Sequence, residues 1–192
     1  KKNANTSSKF FFASHLGIEN RFFFIEDKIP RFKQTKQMHE SFKKKSNLIN
    51  LYEGKYAFQK INVDYKSCII RDPLERFISA YKNRILFHKD KDFHELSVNE
   101  VIEKLENGNI ENKHFLPQSF FLGNDLSYFD IVGNLSYIKS FEDKINSFFG
   151  QKKIFPKLQT GGKEQQLSLS QENKKRIKKI YSDDYLLVDN YL

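Results

Sequence analysis

The stretch at the start of the chain has residue types that suit phosphate binding: Lys2-Asn3-Ala4-Asn5-Thr6-Ser7-Ser8-Lys9. Small and polar residues lead here directly into a predicted helix, so backbone N–H groups and the positive helix end can point at a phosphate. Lys2 and Lys9 add positive charge, and Thr6 and Ser7 add hydroxyl donors. The spacing of a Walker A loop is absent. The same stretch is compatible with an ordinary polar amino terminus in which Thr6 caps the helix.

Arg71 and Ser79 form a second candidate phosphate site. Arg71 follows the apolar run at residues 67–70, which predicts a short buried strand, and ligands of α/β folds bind where such strands end. Ser79 lies about two turns into the helix that Asp72 and the following proline open. An arginine can hold a phosphate through two parallel hydrogen bonds, and a serine hydroxyl can add another. The structural alternative is a capped helix in which Arg71 pairs with Glu75 or Asp72.

A third segment of interest, residues 112–118, carries His114. Histidine can act as a general base near neutral pH, but one histidine beside apolar residues is more often a half-buried structural residue. The other histidines have no carboxylate or cysteine partner at a metal-site spacing, so we expect no zinc site: His15, His39, His88 and His94. Cys68, the single cysteine, lies within the apolar run and should be an unreactive buried thiol.

Composition narrows the class of protein. The chain has 192 residues, which suggests one domain spanning 1–192, and its net charge is +9. That charge indicates an anionic partner, either nucleic acid, an anionic membrane, a nucleotide or an anionic polysaccharide, or else it serves solubility alone. With 15% aromatic residues the chain is not a disordered polar tail. No apolar run approaches the roughly 18 residues of a transmembrane helix, and the start has no signal-peptide form.

The elements that must position these residues alternate along the chain. Apolar periodicity and capping signals predict helices at 6–16, from Asp72 onward, at 97–105, 139–149 and 170–181. Leu16 should lie on the core face of the first helix, together with Phe10, Phe11 and Ala13. Ser97 and Glu100 have the spacing of a capping box, and Gly150 should end the helix at 139–149. Short apolar runs predict strands at 21–25, 66–71 and 129–132, and residues 159–163 form a glycine-containing loop. This alternation predicts an α/β layer fold with a mainly parallel sheet. The strand that would normally precede the first helix of such a fold is missing from the sequence.

Taken together, these segments resemble the carbohydrate sulfotransferases, especially the branch of the chondroitin and HNK-1 sulfotransferases and their bacterial relatives. The block from Arg71 to Tyr81 resembles the 3′-phosphate-binding motif of that family, and Lys2 to Lys9 resembles its 5′-phosphosulfate loop. His114-Phe115 falls where the family often has a His-Trp pair. Three further blocks match in order, so the resemblance covers nearly the whole chain: 129–133, 155–157 and 180–185.

The resemblance implies a three-layer α/β fold with a P-loop-like phosphate-binding loop. It also implies transfer of a sulfuryl group from 3′-phosphoadenosine 5′-phosphosulfate (PAPS) to a carbohydrate hydroxyl, without a metal. Lys2 would contact the bridging oxygen, and Arg71 and Ser79 would bind the 3′-phosphate. His114 would be the general base, with Glu26 as second choice and His15 as a weaker third. The remaining donor-binding residues would be the 5′-phosphate loop and one lysine of the glycine loop: Asn3, Ala4, Asn5, Thr6, Ser7, Ser8 and Lys163.

Two other functions are compatible with the sequence. A nucleotide-dependent phosphotransferase would need a carboxylate for Mg²⁺ at the end of a later strand, where Asp130 is the one obvious candidate. A non-catalytic polyanion-binding domain would use the positive charge alone, although no RNA-binding aromatic motif occurs, so we expect no nucleic-acid partner. The compartment we expect is the bacterial cytoplasm, or the Golgi lumen for a eukaryotic protein.

Overall fold

Two parallel strands, β1 (Ser67–Ile70) and β2 (Ile131–Asn134), form the sheet in the part of the chain that the structure describes. The structure is a computed structural model, and it describes residues 5–17, 65–93, 95–109, 112–157, 162 and 164–192. Ser67 pairs with Ile131 and Ile70 with Asn134, so the carboxyl ends of both strands lie at one edge. The predicted α/β class with parallel strands is confirmed here, although β2 begins two residues later than predicted.

The described α-helices are α1 (Asn5–His15), α2 (Pro73–Tyr81), α3 (Val98–Glu106), α4 (Gln118–Leu122), α5 (Ile138–Phe149), α6 (Gln171–Ile180) and α7 (Ser182–Val188). A π-helical stretch, Lys82–Phe87, continues α2. Short 3₁₀ turns lie between other elements at Lys91–Phe93, Leu126–Tyr128 and Leu135–Tyr137, and a further one, Asp189–Tyr191, follows α7.

Local hydrogen bonds explain where several helices begin and end. The Asp72 side chain accepts a hydrogen bond from the Glu75 N–H at 2.8 Å, and proline occupies the first position of α2, as the sequence predicts. Ser97 and Glu100 form the predicted capping box of α3. Gly150 ends α5 in the left-handed conformation, with φ of 60°, which glycine adopts without strain. These helix boundaries are therefore confirmed.

Hydrophobic side chains cover both faces of the sheet. Alternate residues of a strand point to opposite faces. Accordingly, Ile69 packs with Phe11 of α1 and Phe141 of α5 on one face. Ile70 and Cys68 pack with Val188 of α7 on the other face. A larger apolar cluster joins α2, α3 and α6 beside the sheet: Phe77, Ala80, Tyr81, Ile85, Phe93, Val101, Ile102, Phe115, Leu169, Ile177 and Tyr181.

The end of α1 differs from the prediction. Leu16 was expected on the core face of the helix, but its side chain is 57% exposed. The helix ends at His15, and the backbone turns at Gly17 with φ of 64°, so Leu16 leaves the core-facing side. The His15 ring is buried instead and stacks on Phe149 with ring centroids 4.8 Å apart. The predicted strand at 21–25 and most of the glycine loop lie outside the described residues.

Gly133 allows α5 to approach β2 closely, and this contact can be tested. A Cβ atom at Gly133 would lie 2.6 Å from Cγ and 2.8 Å from Cβ of Phe141. We expect Gly133→Ala to lower the free energy of unfolding by about 1–3 kcal/mol because the core is overpacked. The melting temperature measured by circular dichroism should fall by roughly 2–12 °C. In the double variant Gly133→Ala/Phe141→Leu the loss should be smaller than the sum of the two single losses. Additive losses would contradict the contact.

Candidate functional site

Arg71, the first residue after β1, has its backbone bound on both sides by one side chain. The Arg71 N–H donates to Oε1 of Gln118 at 3.0 Å, and Nε2 of Gln118 donates to the Arg71 carbonyl at 2.8 Å. The two residues are 47 positions apart in sequence. Gln118 is only 1% exposed, so this amide is part of the protein interior. The arrangement fixes the backbone of Arg71 at the carboxyl edge of the sheet.

Gln118 is itself held by Asp184 of α7. The backbone N–H groups of Gln118 and Ser119 donate to the two carboxylate oxygens of Asp184, at 2.6 and 2.7 Å. These groups lie in the first turn of α4, where backbone donors have no carbonyl partner within the helix. Asp184 is fully buried, and charged hydrogen bonds of this kind are stronger than neutral ones. Asp184 therefore fixes the start of α4 and, through it, the Gln118 side chain.

A second buried charge, Arg76 of α2, lies near Asp184. Arg76 is 2% exposed, and within the described residues its Nε and Nη2 atoms have no hydrogen-bond partner. Burial lowers the pKa of the Arg76 guanidinium, while the nearby Tyr181 and Asp184 raise it. The two buried charges have opposite sign, so each reduces the cost of keeping the other out of water.

Tyr185 connects α7 to the start of α2. Its hydroxyl accepts a hydrogen bond from the Leu74 N–H at 3.3 Å and also hydrogen-bonds to the Asp72 carboxylate. Burial, followed by the charge of Asp72, raises the pKa of Tyr185 to about 12, so the hydroxyl stays protonated at neutral pH. Adjacent residues of α7 therefore hold both Gln118 and the residues that follow Arg71.

The guanidinium of Arg71 lies beside Glu75 in the first turn of α2. Its Nη2 atom lies 3.4 Å from Oε2 of Glu75, and Ser79 is one further helical turn along the same side of α2. Burial lowers the pKa of Arg71, and the charges of Glu75 and Asp72 counteract that effect. The ion pair between Arg71 and Glu75, which the sequence offered as an alternative, is present in the structure. Its distance is longer than that of a strong charged hydrogen bond, about 2.7–2.9 Å.

His114 lies on the segment that leads to Gln118. The segment is fixed by the His114 N–H, which donates to Oδ1 of Asn112 at 3.0 Å, and by the Phe115 carbonyl, which accepts from the Tyr181 hydroxyl at 2.6 Å. His114 is half-buried, as the structural interpretation of the sequence expected. The same short segment thus carries the candidate base and the side chain that holds Arg71.

The amino-terminal candidate residues are described in part. The backbones of Asn5 and Thr6 begin α1, Ser7 is 5% exposed, and Ser8 is half-buried. The other candidates of this group and two candidates elsewhere lie outside the described residues: Lys2, Asn3, Ala4, Glu26 and Lys163. His15, weighed as a weak third choice of base, is buried at the opposite end of α1, where burial and then Lys153 lower its pKa.

Gly162 places part of the glycine loop close to the end of α2. Its φ is 82°, and a Cβ atom there would lie 2.7 Å from the carbonyl oxygen of Lys82. Gly162 therefore packs against the first residue of the π-helical stretch that continues α2.

The described part of the chain contains no cluster of three or more His, Cys, Asp or Glu side chains that could hold a metal ion. Asp130 precedes β2 at the amino end of the strands, opposite Arg71, and its carboxylate accepts a hydrogen bond from the Lys66 N–H at 2.7 Å. Cys68 is buried, as predicted, and burial raises the pKa of its thiol to about 12, which disfavours the reactive thiolate at neutral pH. None of the described helices is long and apolar enough to span a membrane.

Sequence reasoning missed the roles of Gln118 and Asp184. Gln118 follows a proline inside the segment that carries His114, and Asp184 shares a helical face with Tyr181 and Val188, both buried. A polar residue on an apolar face is a signal that it serves an internal contact. The identity of its partner depends on contacts between residues 65 and 66 positions apart, which periodicity does not reveal.

Comparison with known proteins identifies the class of this protein. The model of the sulfotransferase family matches residues 1–189. The chain therefore belongs to the sulfotransferase family, whose members are transferases that take a sulfate donor and an acceptor. The helix-rich α/β arrangement with its small parallel sheet fits this family. Searches among curated proteins and among solved structures gave no match.

The hydrogen bonds of Asp184 predict a measurable difference between neighbouring aspartates. In Asp184→Asn an amide NH₂ replaces one acceptor oxygen and faces a backbone N–H, so we expect the free energy of unfolding to fall by about 1–3 kcal/mol. Asp183→Asn is the matched control, since Asp183 is exposed and its loss should change stability by less than about 0.5 kcal/mol. Denaturant unfolding measures both variants. Equal effects would show that Asp184 does not hold the start of α4.

Proposed function

We propose that the protein transfers a sulfuryl group from PAPS to a hydroxyl of a carbohydrate acceptor. Family membership supplies the sulfuryl transfer, and the choice of donor and acceptor is the proposal. The observation that carries it is the placement of Arg71, whose backbone is fixed at the carboxyl edge of the sheet by Gln118 while its guanidinium lies beside Glu75, one helical turn before Ser79. The donor is strongly anionic, which suits a chain with a net charge of +9.

Arg71 and Ser79 would bind the 3′-phosphate, the group that distinguishes this donor from ATP-like nucleotides. The guanidinium already lies beside Glu75, one helical turn before Ser79, so a phosphate between them could accept hydrogen bonds from both. Such a phosphate must replace Glu75 as the partner of Arg71. The Glu75 side chain is 57% exposed and the pair is long, so the interaction to be replaced is weak.

The start of α1 would bind the 5′ end of the donor. Phe11 of α1 packs in the same cluster as Ile69 of β1, two residues before Arg71, which supports placing this helix beside the donor site. In this proposal backbone N–H groups of residues 3–8 hold the 5′-phosphate at the positive end of the helix. Lys2 contacts the bridging oxygen and stabilises the negative charge that develops as the sulfuryl group leaves, so the protein acts through positioning and charge.

His114 is the proposed general base, with Glu26 as the second choice. A base must lie within hydrogen-bonding reach of the acceptor hydroxyl, and a histidine can be poised near neutral pH. The segment of His114 is joined to Arg71 through Gln118, which supports a position near the donor. Lys163 is proposed as a further phosphate contact, because the adjacent Gly162 packs beside Lys82.

We also propose that residues 1–192 form one three-layer α/β domain with a P-loop-like phosphate-binding loop. Apolar side chains of helices pack on both faces of the sheet, which supports the proposal of three layers. A nucleotide-dependent phosphotransferase has less support, because the carboxylate of Asp130 lies at the amino end of the strands and is already hydrogen-bonded to Lys66.

Binding of adenosine 3′,5′-bisphosphate (PAP) tests the donor. At 100 times its Kd the ligand should stabilise the protein by about 2.7 kcal/mol and raise its melting temperature by roughly 5–10 °C. ADP, which lacks the 3′-phosphate, should give a much smaller shift at the same concentration. Arg71→Ala should reduce the PAP-induced shift to the size of the ADP-induced shift, while the melting temperature without ligand stays close to that of the wild type. Equal shifts from PAP and ADP, or unfolding of Arg71→Ala, would contradict the assignment of Arg71.

Competition between Glu75 and the phosphate gives a gain-of-affinity prediction. Glu75→Gln frees the Arg71 guanidinium and removes a negative charge beside the site, so we expect PAP to bind roughly 2- to 5-fold more tightly. Glu103→Gln makes the same change of net charge at an exposed position of α3 and serves as the control. Isothermal titration calorimetry at fixed ionic strength measures both. An equal gain in the control would assign the effect to net charge, and no gain in Glu75→Gln would place the phosphate away from Arg71.

A further inference from the structure

We propose that Gln118 is a positioning residue for the 3′-phosphate, and that Asp184 holds Gln118 in the orientation required. This inference rests on the proposed function, in which Arg71 binds that phosphate. Gln118 does not touch the donor in this account. It acts through the backbone of Arg71 and sets the direction in which the guanidinium leaves the sheet edge.

The geometry of the two hydrogen bonds explains why one side-chain amide is sufficient to fix the direction of the Arg71 Cβ atom. The N–H of Arg71 belongs to the peptide unit before its Cα atom, and the carbonyl belongs to the unit after it. Gln118 binds both, at 3.0 and 2.8 Å, with the two ends of one planar side-chain amide. The angles φ and ψ of a residue set the relative orientation of the two peptide planes on either side of its Cα atom. Fixing both planes therefore fixes the direction of the Arg71 Cβ atom.

The position of Arg71 makes this support necessary. Register pairing of the strands ends at Ile70 and Asn134, so the strand partner of β1 does not extend to Arg71. Backbone N–H and C=O groups that are removed from water need partners. The Gln118 amide supplies one acceptor and one donor, as a neighbouring strand would, and continues the pairing of β1 by one residue.

Asp184 holds the backbone from which the Gln118 side chain extends. The Asp184 carboxylate, which is fully buried, binds the N–H groups of Gln118 and Ser119, and Gln118 is 1% exposed. A ligand-binding side chain keeps its geometry when the residues that support it are themselves locked by packing and hydrogen bonds. Hydrogen bonds join Asp184 to the backbone of Gln118, and others join the Gln118 side chain to Arg71, so this condition is met.

The direct test compares PAP with AMP, which lacks the 3′-phosphate, in Gln118→Met. This variant keeps the length of the side chain and removes both hydrogen bonds. We expect the Kd of PAP to rise about 10- to 100-fold, because the arginine is no longer held in the productive orientation. The Kd of AMP should stay unchanged. Gln151→Met is the matched control, since it removes a glutamine hydrogen bond to a backbone carbonyl, that of His15, elsewhere in the fold.

The variant Gln118→Glu should give a pH-dependent PAP affinity that would not be expected if Gln118 only stabilised the fold. The carboxylate keeps an acceptor for the Arg71 N–H but faces the Arg71 carbonyl without a proton. When the carboxyl group is protonated, it can donate to that carbonyl and restore both bonds. The ratio of the PAP Kd of Gln118→Glu to that of the wild type should therefore fall as pH is lowered from about 8 to about 5, since burial raises the pKa of a carboxyl group. The same ratio for Gln118→Met should stay constant.

The outcomes separate this inference from the proposed function. A wild type that binds PAP no better than AMP contradicts both. A wild type that prefers PAP, with Gln118→Met showing the same preference or losing both ligands equally, overturns the positioning role alone. In an Arg71→Ala background Gln118→Met should cause no further loss of PAP affinity, and an additive loss would count against the inference. Unfolding of both Gln118 variants would assign the amide to the fold and overturn the inference as well.

Discussion

A carboxylate that is fully removed from water must find charged or hydrogen-bonding partners, and the site is organised around one such group, Asp184. It finds two backbone donors in the first turn of α4 and a buried positive charge, Arg76, nearby. Because the first residue of α4 is Gln118, this arrangement reaches the backbone of Arg71. The sheet edge, α2, α4 and α7 are therefore joined by polar contacts at the point where the donor is proposed to bind.

The two arginines of the Arg-Asp-Pro-Leu-Glu-Arg block have different environments and therefore different uses. Arg76 is 2% exposed and balances a buried carboxylate, whereas the Arg71 side chain is 21% exposed and pairs loosely with Glu75. A ligand can compete for the second guanidinium but cannot reach the first without disrupting the core. The position of Arg71 directly after a strand identified it from the sequence. The interior role of Arg76 follows from the helical position that it shares with Pro73, Phe77 and Ala80, which are also buried.

Features fixed by neighbours in sequence were predicted well, and features fixed by distant contacts were not. The Asp72 cap, the Ser97–Glu100 capping box and the Gly150 stop each depend on residues within a few positions, and all three are confirmed. The contacts of Gln118 with Arg71 and Asp184 join residues 47 and 66 positions apart, so they depend on the assembled fold. The prediction that Leu16 faces the core was wrong, because helical periodicity does not show that α1 already ends at His15. The sulfotransferase family was predicted correctly from motif order, which is independent of tertiary contacts, whereas the carbohydrate-specific branch stays a prediction.

A crystal structure of the complex with PAP decides whether Arg71 and Ser79 together bind a 3′-phosphate. We expect oxygens of the 3′-phosphate within about 3 Å of both the Arg71 guanidinium and the Ser79 hydroxyl. Gln118 should remain bound to the Arg71 backbone, and Glu75 should have moved away from the guanidinium. A complex in which the 3′-phosphate contacts other residues, with Arg71 still paired to Glu75, would show that Arg71 and Ser79 do not form the phosphate site.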